Sequence, residues 1–105
     1  MPGVDLNYFI RQANKLTEKI EKRKQELADG LVEKKSPNEL ITVTVNCAQE
    51  VKSIKIAPAA VDPSDIAMLE DLVIATVNAA LVDSKAKMQA ELGKVSGGIK
   101  IPGVT

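Results

Sequence analysis

Histidine and tryptophan are absent from this 105-residue chain, cysteine occurs once, and Tyr8 and Phe9 are its only aromatics. The missing histidine removes the commonest general base and metal ligand, and a single cysteine removes thiolate zinc sites and any intramolecular disulfide. Cys47 has no imidazole to activate it and reads as an ordinary turn-region residue. Among the carboxylates, Glu70 and Asp71 are neighbours in what reads as helix and so face different directions, while Asp62 and Asp65 are explained by helix capping. Gly97-Gly98 lacks the GxxxxGK[ST] context of a phosphate-cradling loop. The sequence therefore describes a non-enzymatic protein with no cofactor, no metal and no small-molecule substrate.

Long apolar runs are also missing. Nothing approaches the roughly 18 consecutive apolar residues of a membrane span, and Met1 to Ile10 has neither the basic start nor the apolar core of a secretion signal. With the lone cysteine, these features point to a reducing cytoplasm and no membrane partner. The length fits one domain, residues 1–105, with a core built from Leu, Ile, Val, Ala and Met.

From Asp5 to about Ala28, Leu6, Phe9, Ala13, Leu16, Ile20 and Leu27 recur at steps of three, four or seven, the stripe of an amphipathic helix. Asp5 supplies an N-cap and Gly30 a stop. Arg11, Lys15, Lys19 and Lys22 fall within about 80° of each other, opposite that stripe. Leu31 to Ser36 is weakly strand-like, and Pro37-Asn38 signals a turn. Leu40 to Asn46 alternates, with Ile41, Val43 and Val45 on one face and Thr42 and Thr44 on the other. Val51 to Ile56 reads as the second strand of a hairpin, with Ile54 and Ile56 facing inward.

Asp62-Pro63-Ser64-Asp65 reads as the start of a long helix, with Asp62 the cap and Pro63 at the first helical position, and no breaker follows until Gly93. Within it Leu69, Leu72, Val73, Thr76, Val77, Ala80 and Leu81 form a broad stripe, while Ile74, Ala75, Ala79 and Val82 cover much of the remainder. A helix apolar nearly all round is buried on more than one side. One small sheet covers only one side, so a symmetric partner is expected to cover the other, with Leu69, Leu72, Val73, Ile74, Val77 and Leu81 at the interface. The heptad spacing of Leu6, Phe9, Ala13, Leu16 and Ile20 adds to the case for a homodimer. Residues from about 94 to 105 are too rich in Gly and Pro for helix and read as a flexible tail.

The formal net charge is zero, with 14 basic and 14 acidic residues, but the charges are segregated. Residues 11–24 carry six basic side chains against two acidic ones, a balance of +4. Residues 59–83 carry five carboxylates and no basic residue, a balance of −5, and residues 84–105 carry Lys85, Lys87, Lys94 and Lys100 against Glu91, a balance of +3. A neutral chain with two basic ends can still present a cationic surface.

Three stretches together resemble the YbaB/EbfC family of bacterial nucleoid-associated proteins: the hairpin Ile41 to Ile56 (ITVTVNCAQEVKSIKI), the helix Met68 to Leu81 (MLEDLVIATVNAAL), and Gly93 to Gly103 (GKVSGGIKIPG). Ser36-Pro37-Asn38-Glu39 stands where the family has a glycine-rich run, Cys47 where it has a hairpin glycine, and Ala57 where it has an aspartate. The resemblance implies an α+β fold: a long N-terminal helix, a small antiparallel three-stranded sheet and a long C-terminal helix, paired as a tweezer-like homodimer at the nucleoid. It also implies binding of double-stranded DNA through the first and last helices, which places Arg11, Lys15, Lys19, Lys22, Arg23, Lys85, Lys87 and Lys94 at the DNA. The expected function is a homodimer contacting DNA phosphates with little sequence specificity. The alternative is a dimeric adaptor for a protein partner, favoured by the zero net charge and by Glu18 and Glu26 near the basic row of the first helix.

Overall fold

The computed structural model describes residues 5–95. Helix α1 spans Leu6–Leu27, strand β1 Leu31–Lys35, β2 Ile41–Asn46 and β3 Val51–Ile56, and helix α2 spans Ile66–Val95. The three strands form one antiparallel sheet in the order β1-β2-β3, so the expected α+β architecture is present.

Alternation fixes the sheet. Ile41, Val43 and Val45 are fully buried against α2 and form the core with Ala60 and Ala80. Partly buried Val32, Leu40, Leu69, Leu72, Val73, Val77 and Leu81 pack around them. Antiparallel pairing sets Ile56 opposite Ile41, Ile54 opposite Val43 and Val51 opposite Val45, with a bulge between the last two pairs. Opposed residues share a face, so these β3 side chains lie on the core side as expected, yet Val51, Ile54 and Ile56 remain 43%, 42% and 43% exposed. The reason is coverage: α2 packs over β1 and β2 and leaves β3, an edge strand, bare.

Side chains tie the turns. Asn46, nearly fully buried, accepts from the Ala48 and Glu50 backbone N–H groups through Oδ1 and donates through Nδ2 to Glu50. Ser36, also buried, accepts from the Ile41 N–H and donates to Asn38 Oδ1. Positive φ occurs at Glu39 (59°) and Gln49 (66°) and not at Cys47. Replacement of the family's hairpin glycine by Cys47 therefore demands no left-handed backbone. At the end of α1, a Cβ on Gly30 would stand 3.1 Å from the Leu27 carbonyl oxygen, a close approach that suits glycine.

Both ends of α2 differ from the sequence expectation. Asp62 does not cap it: Asp62 Oδ1 accepts from the N–H and hydroxyl of Ser64 and holds a separate turn, while Asp65 Oδ1 accepts from the Met68 N–H and caps the helix. Two aspartates compete within four residues, and the later one has its acceptor three residues before a free helical N–H. At the other end the helix runs through Gly93 to Val95, with Lys94 paired to Glu91 one turn back, so Lys94 belongs to α2 and not to a tail. The rest of the expected tail, residues 96–105, lies outside the described residues.

The described residues measure 76 × 21 × 17 Å, with a radius of gyration of 20.2 Å. A compact chain of this length would have a radius of gyration near ~13 Å. The excess is the two-helix arm. Arg23 meets Glu91, and Lys24, Gln25 and Ala28 lie beside Met88, so α1 and α2 run antiparallel away from the sheet.

Candidate nucleic-acid interface

Asp5 starts α1 by accepting from the Asn7 and Tyr8 N–H groups, and the helix then carries its basic row along an exposed side. Arg11, Lys15, Lys19 and Lys22 are all exposed. Among the described residues none of their charged ends lies within ion-pair distance of a carboxylate, whereas Lys24, two positions further on, pairs with Glu21 at 3.6 Å. From Arg11 to Lys22 the row spans about 16 Å at 1.5 Å per residue, the rise of about five base pairs. An unpaired cationic row of that length can follow a phosphate backbone without surrendering internal salt bridges.

The α2 lysines divide. Lys87 and Lys94, seven residues apart, fall on one face, whereas Lys85 lies about 160° from Lys87. Lys87 Nζ sits 3.7 Å from the point where a Gly30 side chain would begin, at the joint between α1 and β1. Lys94 is exposed but engaged with Glu91 at 3.0 Å. The structure thus brings Lys87 and Lys94 to one side of the arm and leaves Lys85 on another.

Arg23 stands apart from the other basic residues. It lies on the α1 stripe with Leu16, Ile20 and Leu27, all partly buried, rather than on the exposed row. Its guanidinium donates to Glu26 at 3.0 Å and across to Glu91 of α2 at 3.4 Å. The hydrogen bond to Glu26, and then that to Glu91, hold its pKa above the ordinary arginine value against some desolvation. The Lys94 hydrogen bond, with Arg23 adding to it, holds Glu91 below the usual carboxylate range.

The residues expected at a dimer interface sit differently from one another. Leu69, Leu72, Val73, Val77 and Leu81 already pack, partly buried, against the chain's own core, because the sheet covers this side of α2. Ile74 and Val82 remain 58% and 66% exposed. Leu72, Ala75, Thr76 and Ala79 line a cleft with Lys34 to Pro37 on the β1 side. Helical geometry therefore turns Val73, Ile74, Val77 and Leu81 toward the opposite, β3 side, where Val51, Ile54 and Ile56 are bare. Sequence reasoning missed Val51, since only the strand pairing reveals that it shares this face. The result is one apolar surface shared by α2 and β3.

No helix among the described residues is long and apolar enough to cross a membrane, and they contain no group of three or more His, Cys, Asp or Glu side chains placed to hold a metal.

Residues 1–99 match the sequence model of the YbaB/EbfC DNA-binding family. The chain belongs to this family. The chain is similar to a nucleoid-associated protein of Myxococcus xanthus, 64% identical over 105 residues and covering all of both chains. Another, from Anaeromyxobacter sp., is 46% identical over 101 residues, covering 96% of this chain and 98% of the relative. Among solved structures, an uncharacterized protein from Helicobacter pylori superposes with a TM-score of 0.63 at 11% identity, covering 75% of this chain and 92% of that one. That likeness concerns the fold alone; family membership places the chain among DNA-binding proteins rather than enzymes.

Proposed function

We propose that the protein is a nucleoid-associated, cytoplasmic homodimer that binds double-stranded DNA through phosphate contacts, with little sequence preference. The observation that carries this reading is the exposed row Arg11, Lys15, Lys19 and Lys22, which makes no ion pair among the described residues, on an arm that projects from the sheet. Lys87 and Lys94 extend it along α2, and Lys85 adds charge on another side. Two protomers joined through the apolar surface of β3 and α2, with Val73, Ile74, Val77 and Leu81 at its centre and Leu69 and Leu72 behind them, would present two such arms. Phosphate contact fixes position and carries no base information, and nothing in the row resembles a groove-reading cluster.

Four engaged side chains per protomer give a dimer about eight phosphate contacts, enough to lose roughly 10³- to 10⁵-fold in affinity between about 50 and 200 mM salt. The test is a gel-shift titration of unrelated duplexes at those two concentrations, with the parent and a Lys15→Ala, Lys19→Ala, Lys22→Ala triple variant. The triple variant is expected to weaken all sequences alike and to flatten the salt slope while keeping its helicity. Parent-like binding by the triple variant would reduce the α1 row to a solvated face. Absence of any parental shift at the lower salt would favour the adaptor reading, to which the exposed α1 residues Leu6, Tyr8, Phe9 and Ile10 lend an apolar contact surface.

A further inference from the structure

The seam between α1 and α2 is apolar except at one place. On α1 the partly buried positions are Leu16, Ile20, Arg23 and Leu27, spaced four, three and four, and on α2 the arm's partly buried positions are Met88, Glu91, Leu92 and Val95. Arg23 and Glu91 occupy the facing stripes, with side chains only 38% and 25% exposed. Each is also anchored on its own helix, Arg23 to Glu26 at 3.0 Å and Glu91 to Lys94 at 3.0 Å. The four groups alternate in sign along a line that crosses the arm. The cross-helix link, at 3.4 Å, is the longest of the three contacts, yet it alone connects the helices.

Nothing on α1 is fully buried. Leucine and isoleucine stripes tolerate sliding, whereas one polar pair in an apolar seam selects a register, because a slip strands a charge against aliphatic side chains. Slipping α1 by one turn would carry Arg23 about 5.4 Å along the axis, out of reach of Glu91. The Arg11 to Lys22 row belongs to the same rigid helix and would move with it.

We propose that Arg23 and Glu91 are the register pair of the arm, and that Arg23 serves DNA binding as a positioning residue, by setting where the basic row of α1 lies relative to Lys87 and Lys94, and not by touching phosphate. The proposal rests on the DNA reading above for its consequence and on the seam alone for its geometry.

Charge makes the test sharp. Glu91→Ala removes a carboxylate from the basic arm, so long-range electrostatics alone would tighten DNA binding. Positioning gives the opposite sign: Glu91→Ala binds about threefold more weakly, within the range of a partly exposed ion pair. The double variant Arg23→Leu, Glu91→Leu keeps the parent's net charge and supplies an unbroken apolar seam, so it binds to within about twofold of the parent although the arginine is gone. Binding by Glu91→Ala as tight as the parent, or a double variant as weak as Arg23→Leu alone, overturns the proposal. Amide hydrogen exchange over Leu16 to Leu27 reads the seam without DNA. It should accelerate in Glu91→Ala and return toward the parental rate in the double variant, and unchanged exchange in Glu91→Ala also overturns the proposal. A parent that fails to bind DNA refutes the DNA reading, and the exchange result still decides whether the pair holds the register.

Discussion

Val43 is the most informative residue to perturb, because it is fully buried at the centre of β2 while its neighbours Thr42 and Thr44 face the other side of the sheet. Val43→Asp loses the transfer energy of a buried valine, about 2 kcal/mol, and places a carboxyl group against Ile41, Val45 and α2. At pH 7 the cost of the charge is capped, since the group protonates once its pKa passes 7. A shift of about three units at 1.36 kcal/mol each gives about 4 kcal/mol. The sum, about 6 kcal/mol, is comparable with the whole stability of a domain this size. Val43→Ala, which removes the same apolar volume without a charge, should cost about 2 to 3 kcal/mol.

The two threonines make the comparison internal to one strand. Thr42 lies between Lys35 on β1 and Lys55 on β3, so Thr42→Asp should change stability by less than about 0.5 kcal/mol. Thr44 lies opposite Glu33 and Ser53, so Thr44→Asp meets a like charge and should cost up to about 1 kcal/mol. Urea unfolding followed by far-ultraviolet circular dichroism, at one fixed protein concentration because assembly alters apparent stability, measures all four variants. Equal damage at positions 42 and 43, or a Val43→Asp loss below about 1 kcal/mol, would refute the one-sided burial of this sheet.

Two further outcomes are expected. Light scattering at micromolar concentration should give twice the chain mass, and Ile54→Lys with Ile56→Lys should yield folded monomer, since these side chains are half-exposed within the protomer; a parent that is monomeric would remove the role proposed for the bare β3 face. Glu91 titrates below its ordinary value when folded, so its contribution is complete above the unfolded pKa of about 4.3 and is lost as pH falls through the lowered folded value. Between about pH 5 and 3 the parent should therefore lose more stability than Glu91→Ala, and parallel losses would mean that the carboxylate is not held by Lys94 and Arg23.

The sheet was legible because a period of two has one interpretation once Ile41, Val43 and Val45 alternate with threonines. Which part of its apolar face is covered was not legible: Ile54 and Ile56 have the right orientation, but only the crossing of α2 over β1 and β2 shows that they stay bare. Residue type alone groups Arg23 with the other basic residues, although at 100° per residue it falls within about 20° of Leu16 and belongs to the apolar stripe. Asp62-Pro63 carries a stronger local start signal than Asp65, and local signals do not reveal which carboxylate reaches a free N–H of α2. The positive φ values at Glu39 and Gln49 were hidden because neither residue is glycine. At position 49 a specific contact rewards the side chain, since Gln49 Nε2 donates to the buried Ser84 hydroxyl at 2.6 Å.

Zero net charge was the main sequence objection to a phosphate ligand, and the shape of the protomer answers it. Asp62, Asp65, Glu70 and Asp71 cluster around the start of α2, beside the sheet, whereas the basic row lies on the arm. Along α2, the 23 residues from Asp71 to Lys94 correspond to about 35 Å of helix. At physiological ionic strength exposed charges are screened over about 8 Å, so the acidic cluster lies several screening lengths from the arm. Asp83, nearer the arm, is paired with Lys34 at 3.3 Å. A phosphate backbone lying along α1 therefore meets the local +4 of residues 11–24 with little opposition from the acidic block. The same argument sets a direction: at low ionic strength, where the screening length lengthens to about 30 Å, the acidic block begins to repel DNA as well. The logarithm of affinity should then rise more slowly with falling salt below about 20 mM than the contact count alone requires.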